Sequence, residues 1–240
     1  MLAPLLILVT CAWMPSRANH VFHIRNQCSQ TVWVGILGNH LLEQGGFQLN
    51  RGSRRDITVP DQFSGRFWGR TGCDSHGVCV TGDCGHRIQC NGAGGQPPAT
   101  LAEFTLGGYG GQDFYDVSLV DGYNLPLKIV PVAGSYAKGS GQYYCAVAGC
   151  ERDLNSMCPG ELQIHHGGRT VACQSACAKF NTDAFCCRGS HGTPQTCPTF
   201  SFAQAFKKAC PLAYSYAYDD KASTFTCRGS PHTSYTIQFC

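Results

Sequence analysis

The sequence predicts a mainly β protein on three observations: turn residues are plentiful, charge is sparse, and short apolar runs alternate at period two. There are 29 glycines and 12 prolines in 240 residues, and only 14% of residues are charged. Such a composition favours short strands joined by many turns over long helices. The length allows one large or two modest domains with a sizeable buried core.

At the N-terminus, Leu2 to Met14 is almost wholly apolar but too short to span a bilayer comfortably. Ser16-Arg17-Ala18 follows, with small residues at the two positions a signal peptidase reads. Residues 1–18 therefore read as a signal peptide, although the usual positive n-region is absent. The expected mature chain, 19–240, is soluble, secreted and without a membrane anchor. Cys11 leaves with the leader, so the 17 cysteines become 16. An even number in an oxidising compartment implies eight disulfides and no free thiol, but counting alone leaves roughly two million pairings open. Losing Arg17 takes the formal net charge from +3 to +2, a field too weak to point to nucleic acid or a membrane surface.

In chain order, Val21 to Ile24, Val32 to Val34, Phe47 to Leu49 and Asp56 to Val59 read as strands. Phe67-Trp68 then leads into a stapled stretch, where Cys73, Cys79, Cys84 and Cys90 fall within 18 residues as two pairs of like spacing. In an oxidising compartment this is two small disulfide loops rather than a zinc ribbon. Gly92 to Pro98 closes that segment. Thr100 to Leu106, Asp113 to Asp121 and Leu127 to Val132 are the next strands. In Asp113 to Asp121, Phe114, Asp116, Ser118 and Val120 share one face, and Tyr115, Val117 and Leu119 the other. Apolar residues on both faces indicate a strand covered on each side, as in a sandwich. A carboxylate inside such a strand costs several kcal/mol unless it finds partners, so Asp116 stands out. From Cys150 to Cys210 the alternation fades and cysteines crowd. Phe202, Phe206 and Ala209 fit a helix bounded by Pro198 and Pro211, with a second short helix around Cys173 to Phe180. Ser223 to Cys227 and Tyr235 to Cys240 return to strand.

The run Cys79-Val80-Thr81-Gly82-Asp83-Cys84-Gly85 matches the core of the thaumatin-like signature. Gln27-Cys28 with Thr31-Val32-Trp33, Phe67-Trp68-Gly69-Arg70-Thr71-Gly72-Cys73 and Thr100-Leu101-Ala102-Glu103-Phe104 extend the match. So do Asp113-Phe114-Tyr115-Asp116, Phe185-Cys186-Cys187 and the final Phe239-Cys240. The chain thus resembles the thaumatin-like family, of the pathogenesis-related family 5 type, over its whole mature length. The resemblance implies a flattened β-sandwich core at 19–70, 99–150 and 211–240, a small hairpin lobe at 71–98 and a disulfide-rich helical lobe at 151–210. It also implies the pairs Cys28–Cys240, Cys73–Cys79, Cys84–Cys90, Cys145–Cys227, Cys150–Cys210, Cys158–Cys173, Cys177–Cys186 and Cys187–Cys197. The first closes almost the whole chain, which the loop-entropy account values at roughly 5 kcal/mol. Two departures stand out. The Cys73–Cys79 loop is shorter than in most plant members, with Ser75 where the signature begins with glycine. The usual Pro-Asp-Ala-Tyr is Pro211-Leu212-Ala213-Tyr214, which removes a carboxylate expected near the cleft.

The family's cleft carries an Arg-Glu-Asp-Asp-Asp set, which motif matching places on Arg70, Glu103, Asp116, Asp121 and Asp219, with the adjacent Asp220 as the alternative to the last. Glycoside hydrolysis needs one protonated and one ionised carboxyl, and clustering carboxyls in a poorly solvated site pushes their pKa values apart. In this reading Glu103 is the acid, Asp116 or Asp121 its partner, and Arg70 holds a neighbouring carboxylate ionised. The expected function is a secreted antifungal defence protein that binds β-1,3-glucan in an acidic cleft, at most a weak endo-β-1,3-glucanase. In a non-catalytic reading, Arg70 and the acids form a buried network joining the lobes. A different class stands beside both: an inhibitor of microbial hydrolases, or a membrane-perturbing antifungal. Tyr115, Tyr123, Tyr214 and Tyr216 are candidates to stack on sugar rings. His165-His166 reads as an exposed polar turn rather than a metal site. No cofactor, metal or nucleic acid is expected, and the chain is expected to be a monomer bound to cell-wall polysaccharide.

Overall fold

The computed structural model of the protein describes residues 19–240, and the expected signal peptide at 1–18 lies outside them. Five strands come first: β1 (Asn19–Asn26), β2 (Val32–Gly38), β3 (Gly46–Leu49), β4 (Arg54–Pro60) and β5 (Ser64–Arg70). After the stapled stretch come β6 (Leu101–Thr105), β7 (Asp113–Ser118), β8 (Leu127–Pro131) and β9 (Ala148–Cys150). A short hairpin of β10 (Gln163–His166) and β11 (Arg169–Cys173) precedes three helices, α1 (Ala176–Phe180), α2 (Asp183–Cys186) and α3 (Ser201–Ala209). The chain finishes with β12 (Phe225–Cys227) and β13 (Tyr235–Phe239).

These strands form a six-stranded sheet in the order β12-β7-β6-β5-β2-β3 and a five-stranded sheet in the order β4-β1-β13-β8-β9. The two sheets share one dry core. Phe22 and Ile24 of β1 and Tyr235 and Ile237 of β13 face Phe67, Phe104, Tyr115 and Val117 of the other sheet. The ring of Phe22 lies 4.6 Å from that of Phe104, and Tyr235 meets Phe104 at 5.2 Å. Each such buried aromatic is worth about 1.5–3 kcal/mol relative to exposure. In the five-stranded sheet β1 and β13 pair in parallel, so the first and last strands lie side by side. Gln27 N–H donates to the Phe239 carbonyl, and Cys28 bonds Cys240 just beyond the strand ends. All eight disulfides implied by the resemblance are formed.

Several expectations are corrected in detail. β7 ends at Ser118 rather than Asp121, because Leu119 N–H leaves the ladder to donate to Tyr214 O and a turn closes at Gly122. Gly122 has φ +92°, and a Cβ there would meet Pro98 Cβ at 2.6 Å, so the turn requires glycine. In the 71–98 segment the antiparallel pairing is one isolated bridge, Thr71 to Thr81, rather than a strand pair. The Asp83 carboxylate organises that segment instead, accepting from the N–H groups of Cys79, Gly85 and His86. The expected second helix is α1, which starts only at Ala176 because Ser175 Oγ caps Ala178 N–H. α2 was not foreshadowed in the sequence: it is a single turn set between Cys177 and Cys187 bonds. Among the described residues, no helix is long and apolar enough to cross a membrane.

Candidate functional site

Strand register builds the site on the outer face of the six-stranded sheet. Leu37 of β2 sits opposite Arg66 of β5, Arg66 opposite Glu103 of β6, and Glu103 opposite Asp116 of β7. One row of side chains therefore crosses four strands, with neighbours at the close spacing of cross-strand pairs, about 5 Å between Cβ atoms. The alternation that drives Phe67, Phe104, Tyr115 and Val117 into the core necessarily aims Arg66, Glu103 and Asp116 outward. Two adjoining depressions of about 380 and 410 Å³ share Arg66, Glu103 and Asp116 and make one groove. Asp121, Ser118 and Tyr214 line its second half.

Burial at the floor of this groove shapes its charge. Asp116 Oδ2 is buried and has no hydrogen-bond partner among the described residues. Burial, reinforced by the nearby Glu103 and Asp220 carboxylates, pushes its pKa up to about 8. Burial also raises Glu103; Arg66 opposes that rise and Asp121 adds to it. Arg66 reaches Asp121 at 3.9 Å and is the one cation among the residues lining the two depressions. The arrangement is one carboxyl that keeps its proton near neutrality, a second carboxyl beside an arginine, and a third at the open end.

Glu103, Asp116 and Asp121 thus come together as the sequence indicated, but Arg70 and Asp219 do not join them. Arg70 is completely buried on the same sheet face, covered by the 71–98 segment. Its guanidinium donates to the carbonyls of Trp33, Val34, Arg87 and Ile88, and Nη1 lies 3.2 Å from Cys84 Sγ. Burial lowers its pKa to about 10, which still leaves it charged at neutrality. Asp219 turns the other way. It accepts from Ser215 N–H and Oγ and pairs with Lys207 of α3 at 3.0 Å. Asp220 lines neither depression but lies near Asp116, raising its pKa, and accepts from Tyr214 Oη at 2.8 Å. The parity of β5 shows that an outward arginine exists at both Arg66 and Arg70. Only the register with β6 tells which one meets Glu103.

Of the aromatic candidates, Tyr115 and Tyr123 are core residues whose hydroxyls donate to Ala146 O and Arg152 O. Tyr216 packs edge-on against Phe200 under the helices. Tyr214 alone of the four lines the groove. Leu212, where the sequence suggested a lost cleft carboxylate, bridges Gly149 of β9 and lines neither depression. His165 and His166 are exposed at the end of β10, just before the Gly167-Gly168 turn.

These features define a disulfide-stapled β-sandwich protein with a row of carboxyls in a groove on one sheet face. The Thaumatin family model matches residues 26–240, and the chain belongs to that family. It is 54% identical over 225 residues to Pathogenesis-related protein 5 of Arabidopsis thaliana, covering 91% of this chain and 89% of that one. It is 47% identical over 225 residues to a Prunus avium protein named Glucan endo-1,3-beta-glucosidase, covering 90% of this chain and 88% of the relative. Among solved structures, a laminaripentaose-producing β-1,3-glucanase in complex with laminaritetraose superposes with a TM-score of 0.59 at 12% identity. It covers 92% of this chain and 98% of the other, a likeness of fold alone.

Proposed function

We propose that the groove binds β-1,3-glucan chains of microbial cell walls and that the protein is a secreted, monomeric defence protein with weak endo-hydrolytic capacity at most. The observation that carries this reading is the pairing of Glu103 with Asp116 on neighbouring strands in an open groove, flanked by Arg66 and Asp121. Carboxylates accept sugar hydroxyls, and the Tyr214 ring edges the same surface. The groove is also of ordinary ligand-site size, since such sites run from about 300 to 1,000 Å³. The eight disulfides fit an oxidising, extracellular setting. The glucosidase name of the Prunus avium relative supports the substrate class.

In this reading the two half-buried carboxyls exchange the roles that the sequence suggested for them. Asp116, with its unpaired oxygen and pKa near 8, is the proton donor to a leaving glycosidic oxygen. Glu103, whose pKa burial raises while Arg66 opposes the rise, is the partner carboxyl. Reducing-end release from a soluble β-1,3-glucan tests this, comparing the wild type with Glu103→Gln and Asp116→Asn. Slow release by the wild type that is lost in both variants and declines above about pH 8 supports catalysis. Binding to insoluble glucan without release in any form leaves a lectin-like protein. Neither binding nor release overturns the reading and favours a protein-directed role such as hydrolase inhibition.

A further inference from the structure

A second cluster of chemically capable side chains lies on the five-stranded sheet, and none of its members lines the groove. His20 is on β1, Asp61 is in the turn after β4, and His232 is in the loop before β13. Asp61 Oδ1 lies 3.2 Å from His20 Nε2 and 3.1 Å from His232 Nδ1, and the three ligand atoms are all within 4.8 Å of one another. Ligands about 2.0–2.1 Å from a tetrahedral zinc ion stand about 3.3 Å apart, so these two edges already have the required span.

The geometry around His20 supports more than an ion pair. Its Nδ1 lies 2.7 Å from the Thr233 carbonyl, which can only accept, so that nitrogen carries the hydrogen. With Nδ1 engaged there, Nε2 is the ring nitrogen that faces the cluster. A backbone carbonyl holding the far nitrogen is the arrangement that fixes a metal-binding histidine in tautomer and orientation. His20 itself is only 4% exposed, whereas Asp61 is open to solvent and His232 is half-buried. The cluster is thus anchored on one side and accessible on the other, which leaves a position for water.

We propose that His20 Nε2, His232 Nδ1 and Asp61 Oδ1 form a site for a divalent transition-metal ion of zinc type, with water in the fourth position. Two imidazoles and one carboxylate suit borderline metals rather than calcium or magnesium, which take oxygen ligands. Position gives the site its role. β1 and β13 are the parallel pair clasped at their far ends by Cys28–Cys240. His20 and His232 stand at the opposite end of the same pair, so the ion staples the end that the disulfide leaves free and ties in the β4–β5 turn. The cluster is invisible in the sequence because its three ligands, at positions 20, 61 and 232, are far apart and form no spaced motif.

The test is calorimetric titration of zinc chloride into the full mature chain after chelator treatment, with variants His232→Ala and Asp61→Asn, both at accessible positions. A His165→Ala/His166→Ala variant controls for surface histidines, and cobalt(II) substitution reads coordination by its visible absorption. Saturable 1:1 binding is expected, with tetrahedral-type cobalt absorption and a metal-dependent rise in the thermal midpoint. His232→Ala and Asp61→Asn should each weaken binding by more than about tenfold, as loss of ligand-shell groups does. The control should bind as the wild type does. Absent saturable binding, or binding unchanged by those two variants, would reduce the cluster to hydrogen bonds and ion pairs only. Such a result would leave the glucan reading untouched.

Discussion

Arg66 and Arg70 occupy the same strand and the same face, one helical-turn's worth of sequence apart, and their surroundings are opposites. Around Arg70 the chain wraps carbonyl oxygens from β2 and from Arg87 and Ile88, and among the described residues no carboxylate pairs with it. Around Arg66 lie carboxyls and open solvent. A buried guanidinium satisfied by carbonyls fixes one segment to another, because its five donors in a rigid fork can bridge several acceptors at once. The same group at a groove wall is free to hold a carboxylate ionised and to meet a ligand. The type and parity of a residue therefore set what it can do, and its partners set what it does.

The largest effect should come from breaking the buried half. Arg70→Ala should lower stability by about 3–5 kcal/mol, because it strands several buried acceptors and leaves a cavity. Arg70→Lys should recover less than half of that, since one ammonium cannot span the same carbonyls. Urea unfolding with disulfides intact measures both, and a loss below about 1 kcal/mol would deny Arg70 its clamping role.

The groove half gives a pH signature of intermediate size. The folded pKa of Asp116, about 8, lies above its unfolded value, so the folded state keeps a proton that the unfolded state has released. Its stabilising contribution is complete below about pH 4 and is lost as pH rises through about 8, at up to about 1.4 kcal/mol per pH unit. Asp116→Asn should flatten that slope and outlast the wild type in urea at pH 8, with the gap shrinking toward pH 4. A wild type with no downward slope between those limits would contradict the buried, protonated state. Arg66→Ala should change stability least, by under about 1 kcal/mol, as its pairing with Asp121 is long and solvated. The proposed glucan-binding role puts its main effect in ligand affinity.

Much of this was legible in the sequence. The period-two runs mark most strands, the Phe-Trp-Gly-Arg and Thr-Gly-Asp-Cys-Gly segments carry the family resemblance, and Asp116 is conspicuous as a carboxylate inside a strand. What the sequence could not supply was register and turn direction. Choosing Arg66 over Arg70 requires knowing which residue of β5 faces Glu103, a cross-strand fact set by the Ser64-to-Thr105 alignment of β5 with β6. Choosing Asp220 over Asp219 depends on a turn in which Lys207 and Ser215 capture one carboxylate and leave the other to Tyr214. The end of β7 at Ser118 likewise depends on Tyr214, distant in sequence, taking the next N–H partner.

The most direct measurement is amide chemical-shift mapping of the isotope-labelled protein titrated with a β-1,3-glucan oligosaccharide. The account predicts shifts concentrated at Arg66, Glu103, Asp116, Asp121 and Tyr214, with the amides around Arg70, Arg87 and Ile88 unmoved, and weaker binding in Arg66→Ala. Shifts centred on the Arg70 junction, or binding indifferent to Arg66→Ala, would contradict the division of labour between the two arginines.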